Sequence, residues 1–147
     1  MRLDISSLGN AVRRLREGLA RYEREPADEQ IRDGLIQRFE FAYELTHKML
    51  RRYLREVAAS PEEIERMAFA DLIRTGSAQE LLRSGWPVWR RFREMRVRTN
   101  HTYDAKVAAQ VASAIPPFLE EAEHLFAELR DRLQHLGRGR RARDQFE

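Results

Sequence analysis

From Val107 to Leu136 the apolar residues hold one helical phase: Val107, Val111, Ile115, Phe118, Ala122, Leu125, Leu129, Leu133 and Leu136. Steps of three and four put them all on one stripe of a helix, and no strand alternates this way. Pro116 and Pro117 stand inside the stripe. Each removes a ladder N–H and crowds the preceding turn, so one kinked helix over about 104–136 is expected. A second long stripe, Ile31, Leu35, Phe39, Ala42, Thr46, Met49, Tyr53 and Val57, predicts a helix over about 28–58. Ile36, Tyr43, Leu50 and Leu54 flank it. Two helices of this length bury their stripes against one another and against shorter helices, which constrains the chain to an all-α bundle.

The shorter elements follow from spacing and punctuation. Ile5, Leu8, Val12, Leu15, Leu19 and Tyr22 predict a helix over 4–24, stopped near Pro26, with Asp28 as cap of the next. Ser60, Pro61 and Glu63 read as N-cap, first helical position and capping box of a third helix, with Ile64, Met67, Ala68 and Ile73 as its apolar face. Gly76 and Gly85 bound a short helical turn. A helix over 86–98 follows, with Val88, Phe92 and Met95 toward the core. The expected fold is an up-and-down antiparallel bundle of about five helices in one domain, 1–136. The basic tail 137–147, GRGRRARDQFE, lacks a period and is expected to be mobile.

Composition narrows the setting. The chain is 42% hydrophobic and 35% charged over 147 residues, too apolar for disorder and long enough for a sizeable core. No apolar run approaches the roughly 18 residues of a membrane helix. MRLDISSLGN has no apolar h-region, so no signal peptide is expected. The lack of cysteine excludes disulfides and thiolate chemistry and fits a reducing cytoplasm. Lysine occurs only at 48 and 106, so 25 of the 27 basic residues are arginine, whose forked guanidinium suits phosphates and carboxylates.

One stretch carries candidate chemistry. RVRTNHTYD, from Arg96 to Asp104, joins two helices through mediocre helix formers. On a continuous helix Arg96 and His101 diverge by about 140°. A break at Thr99–Thr102 would put Arg96 in the last turn of one helix and His101 just before the next. The free N–H groups of that second helix would favour an anion. A phosphodiester fits such a corner, but spacing alone favours a plain polar turn with an exposed histidine.

Two E-x-x-H pairs, Glu44–His47 and Glu121–His124, raise the idea of a di-metal bundle. Their helical angles point away from the apolar stripes, so no metal and no cofactor is expected. Phe41 lies nearly opposite the core stripe of its helix and marks a candidate interface. Trp89 shares a flank with Arg96 and is expected to serve packing.

IQRFEFAYELTHKMLRRYL (Ile36–Leu54), SPEEIERMAF (Ser60–Phe69) and RVRTNHTYD occur in this order. Together they resemble the nucleotidyltransferase substrate-binding proteins of the HEPN superfamily, relatives of the HepT toxins. The resemblance spans most of residues 5–135, and RFEFAYEL and R-x4-H-x-Y are its most specific parts. It implies a dimerising five-helix bundle and a metal-independent endoribonuclease acting on RNA. It implies His101 as general acid and base, and Arg96 as phosphate holder. It also implies Tyr103 as the residue to which an MNT-type nucleotidyltransferase antitoxin transfers AMP. HEPN ribonucleases usually carry a polar residue directly after the arginine, and this chain has Val97. Arg98, Asn100 and Glu40 are the nearby supporting candidates. The alternative is a non-catalytic subunit that positions a substrate for the nucleotidyltransferase.

Overall fold

The computed structural model describes residues 3–144, and the surroundings of side chains up to residue 136. Six α-helices follow one another: α1 (Ser6–Arg24), α2 (Glu29–Val57), α3 (Pro61–Arg66), α4 (Phe69–Ala78), α5 (Trp86–Arg98) and α6 (Ala105–Asp144). A 3₁₀ turn, Thr99–His101, joins the last two. No strand occurs among the described residues. The architecture is the expected all-α, up-and-down bundle: α1 packs on α2, both pack on α6, and α5 lies along α6.

Apolar phase decides most of the core. Leu8, Val12 and Leu15 of α1, Leu35, Phe39, Met49 and Leu50 of α2, and Val111, Ile115, Phe118, Leu125 and Leu129 of α6 are buried. Asp28 caps α2, its carboxylate accepting from the Ile31 N–H at 3.0 Å. Gly9 lets α1 approach α6, for a Cβ there would come within 2.9 Å of the Phe126 ring. Two residues of the stripes, Val57 at the end of α2 and Leu136 of α6, are exposed.

α6 passes through both prolines without ending. The carbonyls of Ala112 and Ser113 lose their usual i+4 donors there. Directly after them Phe118 sits at an aromatic hub. Its ring centroid lies 5.1 Å from Phe39, 5.4 Å from Phe92, 6.0 Å from Trp89 and 6.2 Å from Tyr43. Helix α6 also continues past the expected end at 136, through Asp144.

Four local expectations are corrected. The third helix is two helices, α3 and α4, with Met67 and Ala68 in extended conformation between them. The cause is Arg51 of α2, whose Nη1 donates to the carbonyls of Ile64 at 2.8 Å and Met67 at 3.0 Å and so ends α3 from outside. The capping box at Ser60 does not form: its hydroxyl makes no cap hydrogen bond, and the Glu63 N–H donates to the Ser60 carbonyl instead. On α5 the core position is Trp89, at 1% exposure, while Val88 faces outward. The segment after Gly76 is helical only to Ala78, and a turn then buries Leu81 and Leu82.

Candidate functional site

The Arg96–Asp104 turn is built by tightening the chain. Arg98, Thr99 and Thr102 keep right-handed helical dihedrals, so α5 narrows into the 3₁₀ turn without opening into a loop. Thr99 anchors the turn. It is buried, and its hydroxyl donates to the Arg96 carbonyl at 2.6 Å. The Thr102 hydroxyl donates back to the Thr99 carbonyl at 3.3 Å. Asp104 then caps α6, its carboxylate accepting from the Lys106 N–H at 2.9 Å. This corrects the picture of a helix N-terminus open to an anion, because the chain's own carboxylate already occupies it.

Arg96 is held from three sides. Its Nε donates to Glu44 at 3.1 Å, and its Nη1 lies 3.8 Å from Glu40 and donates to the Thr99 hydroxyl at 3.0 Å. The i, i+4 carboxylates of α2 thus face the last turn of α5, which gives Glu40 a concrete place beside the arginine. His101 turns the other way. It is exposed, and its Nδ1 lies 3.3 Å from the Tyr103 hydroxyl, with the rings 5.9 Å apart. Tyr103 itself is 86% exposed. The structure therefore brings His101 and Tyr103 together, but no hydrogen bond joins either to Arg96 among the described residues.

The other candidates fall around this corner. The Arg98 guanidinium bonds the Gln110 side chain. Asn100 is exposed and makes no side-chain hydrogen bond among the described residues. Val97 points outward at 61% exposure. Trp89 packs on Phe92 and Phe118 in the core. Phe41, 61% exposed, stands between two surface grooves, one of about 480 Å³ between α1 and α2 and one of about 820 Å³ along α2.

The E-x-x-H pairs have other partners. Glu44 holds Arg96. The His47 ring packs edge-on against Phe69 at 4.5 Å and its Nε2 lies 3.3 Å from Arg51. Glu121 is buried, against the expectation of an outward face, and accepts from the Arg83 N–H at 3.2 Å. His124 lies 3.2 Å from the Glu80 carbonyl, and Arg132 donates to the Gln79 carbonyl at 2.6 Å. This second pair straps the α4–α5 connection to α6.

Two pKa values are moved by burial on the inner and outer edges of α2. Burial pushes the Tyr43 phenol up to about 12, so it stays protonated at neutral pH. Burial, then the Arg51 charge, holds the His47 imidazole below its ordinary value of 6.5, against the opposite pull of Glu44. Below pH 6.5 the unfolded chain therefore binds the extra proton more readily and is favoured. The stability that neutral His47 contributes is full above pH 6.5 and declines as the pH falls below it. Thermal melts across that window should show Tm dropping with acidification, and His47→Gln should flatten the drop. Parallel curves for the two proteins would contradict this.

Sequence reasoning singled out Arg96, His101, Tyr103 and Glu40 but missed Glu44 and Thr99 as the arginine's closest partners. The signal for Glu44 was its i, i+4 spacing from Glu40. For Thr99 it was the position of a hydroxyl at a helix end.

Comparison with known proteins shows the family. Residues 3–131 match the family described as nucleotidyltransferase substrate binding protein like. The chain is 40% identical to a Haemophilus influenzae protein named probable ribonuclease HepT, over 69% of this chain and 69% of that one. A solved Haemophilus influenzae structure, described as revealing the fold of a substrate-binding domain of a nucleotidyltransferase, is 30% identical. It superposes with a TM-score of 0.81, covering 86% of this chain and 99% of that one. No helix among the described residues is long and apolar enough to cross a membrane.

Proposed function

The chain belongs to the nucleotidyltransferase substrate binding protein like family, and from that premise we propose that it is a HEPN-type, metal-independent endoribonuclease. It is the toxin of a two-gene module whose antitoxin is an MNT-type nucleotidyltransferase. The observation that supports this most is an exposed imidazole, His101, five residues from a guanidinium held in place, in a chain 40% identical to a probable ribonuclease.

The chemistry follows from the residue types. His101 takes the proton of an RNA 2′-hydroxyl, the 2′-oxygen attacks the adjacent phosphorus, and the 5′-oxygen leaves with a proton. An imidazole titrates near neutrality and serves both transfers. Arg96 meets the phosphate with a planar pair of donors and offsets its developing charge. To do so it exchanges Glu44, whose side chain is 60% exposed and free to swing away, for the phosphate. Two such corners facing each other across a homodimer, with Phe41 at the interface, form one basic cleft in the cytoplasm.

Tyr103 is the point of control. Its exposed hydroxyl attacks the α-phosphate of ATP on the partner enzyme, forming a tyrosyl phosphodiester to AMP and releasing pyrophosphate. The added bulk and negative charge stand two residues from His101 and repel RNA phosphate.

The test is cleavage of a mixed RNA by the purified protein in EDTA, with a matched substrate carrying 2′-deoxyribose at the cleaved position. Cleavage of the first and survival of the second is the expected result. Cleavage of both would exclude the 2′-hydroxyl route. A second reading, a non-catalytic subunit that docks the nucleotidyltransferase and positions its substrate, is favoured by one observation: apolar Val97 where HEPN ribonucleases carry a polar residue. It predicts tight complex formation and no cleavage of either substrate.

A further inference from the structure

The outer face of α2 carries a line of cations that the reading above does not use. Beyond Glu44 it presents Lys48, Arg51, Arg52 and Arg55, which with Leu45, His47 and Glu65 line the open groove of about 820 Å³, while Phe41, placed above at the interface, stands at its near end. Two of these cations are already committed. Arg51 caps α3, and Arg55 pairs with Glu65 at 3.4 Å. Lys48 and Arg52 are exposed and have no carboxylate within ion-pair distance among the described residues. They stand four residues apart, about 6 Å along the axis, and Lys48 stands four residues beyond Glu44. Glu44 is the junction: it lines this groove and also accepts from Arg96 at 3.1 Å. A polyanion lying in the groove therefore reaches Arg96 without leaving the surface.

We propose that this groove is a binding track for the backbone of single-stranded RNA, with Lys48 and Arg52 contacting phosphates that flank the one held at Arg96. The inference rests on the ribonuclease reading for what happens at Arg96, and on charge and shape alone for the track. A spaced row of unpaired cations in an open groove fits a repeating phosphate backbone, which is read by charge and not by sequence. The same row makes binding strongly dependent on salt, because each phosphate contact releases counterions.

Binding is measured on the His101→Ala protein, which keeps the RNA intact, with single-stranded oligonucleotides across about 50–200 mM salt. Lys48→Gln/Arg52→Gln should lower affinity and reduce the log–log salt slope by about 1.4, at about 0.7 per lost contact. Arg13→Gln/Arg21→Gln on α1, an equal loss of charge away from the groove, should leave the slope unchanged. With His101 intact, Lys48→Gln/Arg52→Gln should lower cleavage of longer RNA more than cleavage of a dinucleotide, which carries a single phosphate. An unchanged slope in the groove variant, or an equal fall in the α1 variant, overturns the track. So does loss of nucleotidyltransferase binding with RNA binding intact, which would make the groove a protein-docking surface. A salt slope that behaves as expected in a protein that cleaves nothing would keep the track and remove the ribonuclease reading.

Discussion

His101→Ala should lower RNA cleavage in EDTA by about 10²–10⁴-fold while the bundle stays as stable as before. The size is that of a positioned general acid or base. The stability half follows from the surroundings of the ring. His101 is exposed, and among the described residues its side chain bonds only the Tyr103 hydroxyl, itself exposed. Surface substitutions of this kind change stability by no more than about 0.5 kcal/mol. The turn does not depend on the imidazole, because Thr99, Thr102 and Asp104 hold it through the backbone. Initial cleavage rates and a denaturant titration of the two proteins make the comparison. Undiminished cleavage by the alanine variant would remove His101 from the chemistry.

Phe118→Ala should cost about 3–5 kcal/mol, the range for truncating a buried aromatic. The ring is fully buried and has four aromatic neighbours from two helices, Phe39 and Tyr43 of α2 and Trp89 and Phe92 of α5, so that with Phe118 on α6 three helices meet there. Edge-to-face pairs add to the area term. The helix on either side cannot readily shift to fill the space, since Pro116 and Pro117 fix the backbone just before the ring. A domain of this size has only about 5–15 kcal/mol of stability in total, so the variant should unfold at a markedly lower denaturant midpoint. A loss below about 1 kcal/mol would mean that the three helices do not meet at this ring.

The long helices were legible because their stripes are long: many residues in one phase leave little room for another reading. The α3–α4 elbow was not, because it is made by Arg51, whose side chain reaches across to carbonyls 13 and 16 residues away. Periodicity is blind to a cap that arrives from another helix. The same limit hid the partners of Arg96. An angular count around α2 placed Glu44 off the core correctly but left open what stood opposite it. Neighbouring positions were confused where the stripe is short, as with Val88 and Trp89 on α5. The Arg96–His101–Tyr103 corner came from resemblance more than from spacing. The structure adds that its three side chains are not yet one cluster: two face each other, and the third is tethered to α2.

The exposed turn between α5 and α6 also bears on descent. His101 and Tyr103 carry no share of the core, and Arg96 contributes to it only at its margin. A lineage can therefore lose the imidazole by a change in one codon, or alter the position after the arginine, and inherit the same bundle. Folding does not depend on His101 or Tyr103, so their retention or decay records selection on what the turn does. Two offspring of one ancestor can then share a shape while one cuts its ligand and the other only holds it.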